Sequence, residues 1–267
     1  MSSRKRYSTL FVDLDGVVWL SNRVLRENVE WLKSVYEKHV KVFFVTNNST
    51  MTRRDYAVKL TKVIGKTVHP KHVVTSGYAA ARYIYEKYGK TSVYVIGEEG
   101  LIQELNGEGH TIANIVESLK CQADILVVGL DRHITYQKLS NAHIALTKCG
   151  VDFIATNTDN ALPSSNYTIP GAGAIIAFLE RSTGRKPDIV LGKPSPFMYQ
   201  LIMKKYNVVR EDVLVIGDRC DTDVRAAEKL GVDSVLVRTG ISAILRQECH
   251  PTYTVNTLKD LGNLVFF

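Results

Sequence analysis

Asp13 and Asp15 stand one residue apart inside FVDLDGVVWL, an apolar run from Phe11 to Leu20. Charged side chains are rarely set among apolar neighbours unless they are paired or bind a metal. Three more polar clusters follow: Thr46-Asn47-Asn48-Ser49, Gly192-Lys193-Pro194 and Gly217-Asp218-Arg219-Cys220-Asp221-Thr222-Asp223. Together these residue types suit cleavage of a phosphate ester. A carboxylate approaching a phosphate dianion meets repulsion on the order of 4 kcal/mol per charge pair at about 4 Å and an effective dielectric near 20. A divalent cation and a lysine offset it. Hard oxygen ligands suit Mg2+, which takes one or two carboxylates and keeps several waters.

Each cluster then has an expected role. Asp13 attacks phosphorus and binds the metal. Asp15 protonates the leaving oxygen, then activates water against the aspartyl-phosphate. That acid role expects neighbouring carboxylates and partial burial to keep a proton on Asp15. Asp13, Asp15 and Asp218 make up the expected Mg2+ ligands. Gly16 and the amides beyond it admit phosphate closely. Thr46 offers a hydroxyl, and Asn47 and Asn48 offer amides to the substrate. Lys193 steadies the charge between Asp13 and the transferring phosphoryl group. Asp223 is expected behind the ligands, orienting a metal-bound water or Lys193. Taken singly, each has an ordinary explanation. Loops collect aspartates, Thr46 suits a helix cap, Lys193 a solvated surface, and Asp218 and Asp223 a turn and a helix start.

These residues need elements that bring them together. Short β-branched runs alternate with helical patterns, which predicts an α/β fold with parallel strands. Strands are expected at Thr9–Val12, Val42–Thr46, Ser92–Ile96, Ile125–Val128, Phe153–Ala155, Ile189–Leu191, Val213–Ile216 and Ser234–Val237. Helices are expected at Asn28–Lys38, Arg53–Ile64, Tyr78–Tyr88, Tyr136–Lys148, Ala172–Thr183, Pro196–Tyr206 and Thr222–Leu230. All four polar clusters fall at carboxyl ends of predicted strands, where open parallel sheets bind ligands.

The chain has 267 residues, 45% hydrophobic and 23% charged, an ordinary globular composition. No apolar run approaches the roughly 20 residues of a membrane span, and the basic N-terminus does not read as a signal peptide. The formal net charge is +7, with residues 1–79 holding 14 Lys and Arg against 6 Asp and Glu. That excess reads either as an anion-attracting field or as solvated helix faces, and no aromatics interleave with it as a nucleic-acid groove requires. Cys121, Cys149, Cys220 and Cys249 form no CxxC pattern and are expected as free thiols of a reducing cytoplasm. His39, His69, His72, His110, His133, His143 and His250 show no ligand spacing.

DLDG at Asp13–Gly16, TNNS at Thr46–Ser49, GKP at Gly192–Pro194 and GDRCDTD at Gly217–Asp223 resemble, in order, the four motifs of the haloacid dehalogenase-like superfamily. The long insertion, with TSG at Thr75–Gly77, ATNTD at Ala155–Asp159 and PGAGA at Pro170–Ala174, resembles the NagD-like, para-nitrophenyl phosphatase branch. Cys220 stands where relatives commonly carry an aliphatic residue. The resemblance implies a Rossmann-like core, residues 1–79 and 188–267, with a mobile α/β cap over 80–187. It implies Mg2+ and hydrolysis of a small-molecule phosphomonoester, with a homodimer through the cap as a further expectation. Asn157, Asp159 and Gly171 either reach the substrate or serve as an Asx turn and a close packing point. The alternatives are a phosphotransferase or mutase of the same fold, and a non-catalytic nucleic-acid-binding module using the basic first segment.

Overall fold

The computed structural model describes residues 5–38, 40–113, 121–163, 167–240 and 249–262; His39 lies outside them. The chain divides into two compact units, one of Met1–Thr46, Arg53–Val74 and Lys193–Phe267, the other of Asn47–Thr52 and Thr75–Gly192. Thr75–Ala79 and Asp188–Gly192, assigned to the core from sequence, thus cluster with the inserted unit, as does the turn Asn47–Thr52.

The first unit is built on a six-stranded sheet. Its strand order is Tyr253–Val255, Asp233–Val237, Val213–Gly217, Thr9–Val12, Lys41–Thr46, Val73–Thr75. A parallel sheet covered on both faces reads as continuous apolar sequence. Thr9–Val12 and Val213–Gly217 are buried at every position, and Lys41–Thr46 at all but its first. Thr9–Val12 pairs in parallel with both neighbours, Val12 lying opposite Phe44 and Ile216. The carboxyl ends of three strands therefore lie side by side. Phe11 stacks on Tyr199 at 5.2 Å and meets Phe43 edge-on at 6.0 Å, fastening the helix Phe197–Tyr206 to the sheet.

The second unit carries its own five-stranded sheet in the order Ile189–Val190, Asp152–Ala155, Ile125–Val128, Ser92–Ile96, Thr111–Ile112, with all four pairings parallel. Its core packs Ile96, Leu126, Val128 and Phe153 against Ala142, Leu146, Ile176 and Leu179 from the flanking helices. Thr75 and Thr135 cap two of its helices, each hydroxyl accepting an N–H three residues on. Among the described residues no helix is long and apolar enough to cross a membrane.

The cysteines depart from expectation. Cys121 is bonded to Cys149 and Cys220 to Cys249, with Cα separations of 5.4 and 5.6 Å, and no described cysteine is free. Both separations fall within the range a disulfide spans. The partners are 28 and 29 positions apart, and only the folded path brings such distant positions together.

Candidate active site

Asp13 follows the central strand directly, and its N–H donates to the Ile216 carbonyl at 2.8 Å, extending the ladder by one residue. From the strand end at Lys41–Thr46 comes the Val45 carbonyl, and from Val213–Gly217 come Asp218 and, through the wide turn Cys220–Val224, Asp223. Lys193 joins them. Its Nζ donates to Asp13 Oδ1 at 2.5 Å, to Asp223 Oδ1 at 2.6 Å and to the Val45 carbonyl at 3.3 Å. The other oxygen of Asp223 accepts from the Thr222 hydroxyl at 3.2 Å and the Arg219 N–H at 3.3 Å. Asp223 is thus held from both sides and holds Lys193 in turn. Lys193, Asp218 and Asp223 are 3%, 3% and 1% exposed.

Burial pushes the Asp13 carboxyl well above the usual range; Lys193 opposes this, and the Asp223 and Asp218 charges add to it. Burial alone would lower Lys193, but the Asp13 and Asp223 carboxylates outweigh it and hold the ammonium well above an ordinary lysine. Among the described residues, Asp13, Asp218 and Asp223 form the one group whose ligand oxygens all lie within 4.8 Å of one another. Three buried carboxylates around one ammonium leave a negative excess. All-oxygen donors of that kind fit a hard divalent cation, and the residues present therefore suit one.

Asp15, expected among the ligands, is not part of that group. Its Oδ1 accepts the indole N–H of Trp19 at 3.0 Å. Asp15 is exposed rather than partly buried. Gly16 takes φ +88°, and a Cβ there would overlap the Asp218 carboxyl; a Cβ on Gly240 would overlap it from another side. The missing side chains let backbone close around Asp218, a packing demand that the DxDG spacing does not reveal. Thr46 is buried at the end of its strand.

The remaining candidates belong to the second unit, where Asn47, Asn157 and Asp159 meet one another. The Asn47 amide donates to Asp159 Oδ2 at 3.0 Å, and the Asn157 amide to the Asn47 carbonyl at 2.8 Å. Asn157 Oδ1 accepts the Asp159 N–H at 3.1 Å, which is an Asx turn. Asn48 Oδ1 accepts the Thr50 N–H at 2.9 Å in another. Gly171 donates its N–H to the Asn160 carbonyl at 2.9 Å, directly before the helix Ala172–Thr183. These side chains build the loops at the strand ends of that unit.

Sequence reasoning passed over four residues beside the first unit's site. Trp19 holds Asp15, Gly240 packs on Asp218, the Thr239 hydroxyl donates to the Gly16 carbonyl at 2.6 Å, and Asn28 donates to the Val17 carbonyl at 2.8 Å. Only Trp19 carried a signal, an indole four residues from a carboxylate.

The sequence matches haloacid dehalogenase-like hydrolases over residues 10–111 and a HAD-hydrolase-like family over residues 190–261. An acid sugar phosphatase of Staphylococcus epidermidis is 34% identical, covering 97% of this chain and 96% of that protein. A 5'-nucleotidase of Bacillus subtilis is 34% identical, covering 96% and 98%. The solved p-nitrophenyl phosphatase of Archaeoglobus fulgidus superposes with a TM-score of 0.89 at 35% identity, covering 97% of this chain and 99% of that one. Full-length similarity of this degree and the motif residues gathered at the strand ends have one meaning: the chain belongs to the haloacid dehalogenase-like hydrolases, on their NagD-like, p-nitrophenyl phosphatase branch.

Proposed function

We propose that this phosphatase is Mg2+-dependent and hydrolyses small phosphomonoesters through an aspartyl-phosphate formed on Asp13. The observation that carries this reading is the buried Lys193, shared at 2.5 and 2.6 Å between Asp13 and Asp223 beside a third carboxylate, Asp218. A structural ion pair has no use for the third carboxylate; a site that admits a cation and a phosphate does. Asp13 and Asp218 would hold the cation, which when bound supplies positive charge against the phosphoryl oxygens.

The chain's own groups then divide the work. An Asp13 oxygen forms a bond to phosphorus as the ester P–O bond breaks, and the electron pair leaves with the ester oxygen. Asp15 gives that oxygen its proton, releasing an alcohol. A water then attacks phosphorus, Asp15 takes the water's proton, and the Asp13–phosphorus bond breaks to release inorganic phosphate. Lys193 stays charged through both halves, because Asp223 holds it when Asp13 is esterified. Sugar phosphates and nucleoside monophosphates are the substrate classes to try first, since the similar proteins bear those names.

The test measures phosphate release with Mg2+ from a sugar phosphate, a nucleoside monophosphate and nitrophenyl phosphate, for the parent and Asp13→Asn. The substitution should cost on the order of 10⁴ in kcat or more. Acid-quenched parent should carry radiolabelled phosphate that hydroxylamine removes, and Asp13→Asn should carry none. Retained turnover in a folded Asp13→Asn protein would sink the reading.

A further inference from the structure

Trp19 is large and 2% exposed, buried with the core residues of its unit. It lies on the two-residue ladder Trp19–Leu20 with Arg23–Val24, just after the turn that starts at Asp13. The turn closes on itself: Val18 N–H donates to the Leu14 carbonyl at 2.8 Å, and Gly16 N–H to the Trp19 carbonyl at 2.6 Å. The indole is clamped from outside the turn. It lies parallel to the Tyr56 ring, with 6.4 Å between centroids and an interplanar angle of 5°. Lys59 Nζ sits 3.9 Å from the centre of the Trp19 ring. Tyr56 and Lys59 are three apart on the helix Arg53–Ile64, so one face of that helix fixes the ring. From that fixed ring the Nε1–H donates to Asp15 Oδ1 at 3.0 Å.

An indole N–H only donates. The oxygen it reaches is kept as an acceptor, so a proton carried by Asp15 sits on the other oxygen, Oδ2. Asp15 is exposed, and the bond from the fixed indole favours the rotamers that keep Oδ1 within its reach. We propose that Trp19 is the positioning residue for Asp15, binding Oδ1 so that Oδ2 alone gives and takes the proton. This rests on the acid–base role proposed for Asp15. In the first half the Oδ2–H bond breaks, and the proton goes to the ester oxygen that leaves phosphorus with its electron pair. In the second half a water proton goes to Oδ2 as the water oxygen bonds to phosphorus. Oδ1 accepts from Trp19 throughout. The helix Arg53–Ile64 thereby contributes to leaving-group protonation through a residue that touches no substrate.

A positioning fault should show where the proton matters. Nitrophenolate leaves with little need of protonation; an alkoxide does not leave without it. Trp19→Phe keeps an aromatic ring against Tyr56 and deletes the donor. The expected result is a kcat lowered on the order of 10–10²-fold for an alkyl phosphate, a much smaller change for nitrophenyl phosphate, and KM values little altered. Trp19→His, which restores a ring N–H, should recover part of the ratio. Equal losses for both esters, or an unchanged ratio, would overturn the proposal. Asp15→Asn is measured alongside. If it shows no leaving-group bias, the acid role falls and this inference with it. If it shows the bias and Trp19→Phe does not, only the inference falls. Should Trp19→Phe not fold, the indole N–H resonance decides. In the parent it should exchange slowly with solvent and in Asp15→Ala quickly; equal exchange would show that the bond does not form.

Discussion

Replacing Lys193 by methionine keeps most of its length and removes its charge. Asp13 and Asp223 would then face each other in a buried site with Asp218 close by. Breaking a buried pair from one side costs about 3–5 kcal/mol. Lys193→Met should lose that much stability in urea titrations of metal-free protein at pH 7, together with nearly all phosphate release. The pH sense follows from the raised pKa of Lys193. Its contribution is complete below the ordinary lysine value of about 10.4 and is lost only as pH rises through the higher folded value. The gap between parent and variant should therefore persist across mildly alkaline pH. A variant as stable as the parent at pH 7 would mean that the ammonium is not what holds these carboxylates.

At the scale of elements, the helix Arg26–Tyr36 anchors the turn after Asp13 through the buried Asn28. Asn28 donates to the Val17 carbonyl at 2.8 Å and to Thr239 Oγ1 at 3.2 Å, and accepts the Leu258 N–H at 2.8 Å. Asn28→Ala leaves a buried carbonyl and a buried N–H without this partner. It should destabilise the protein by about 2–4 kcal/mol in thermal or urea melts; a loss within error of zero would show that the three segments hold without it. At the other end of the sheet, Asp233 begins its strand and receives Lys5 at 2.5 Å and the Tyr7 hydroxyl at 2.7 Å. Burial raises its carboxyl, but those donors outweigh burial and hold it below the usual range. Its contribution is present above about pH 3.9 and fades as pH falls through the lower folded value. Asp233→Asn should cost about 1 kcal/mol at pH 7, since Lys5 is half exposed, and the gap should close in acid. Elements of this length differ in how readable they are. Arg53–Ile64 and Ala172–Thr183 follow from their periodicity to the residue. The ladder of Trp19–Leu20 with Arg23–Val24 has two residues a side, too few for any period, and the helix Glu99–Gly107 hides behind its glycines. Asp13, Lys193 and Asp218 are legible because each lies just past the end of a readable apolar run, and Asp223 because it closes the acidic cluster that follows one. Asn28 and Thr239 are not, because their contact spans 211 positions.

For the whole molecule, each unit carries one disulfide, Cys121–Cys149 in the inserted unit and Cys220–Cys249 in the unit with Asp13. Closing loops of 28 and 29 positions constrains the unfolded chain by about 3–4 kcal/mol each in the loop-entropy account. Melting in a thiol reductant should therefore fall by roughly 10–30 °C, and Cys149→Ala and Cys249→Ala should each reproduce part of the fall. Melting curves that reductant leaves unchanged would show that the bridges do not constrain the unfolded chain. The pairing also changes what a broken backbone means. Cys220 and Cys249 enclose the strand Asp233–Val237, and the strand Tyr253–Val255 follows them. A protease that cuts any bond between the two cysteines severs the chain without separating its pieces. The clipped protein should migrate as one species until a reductant is added and as two thereafter, its outer strands tethered to the sheet in the meantime.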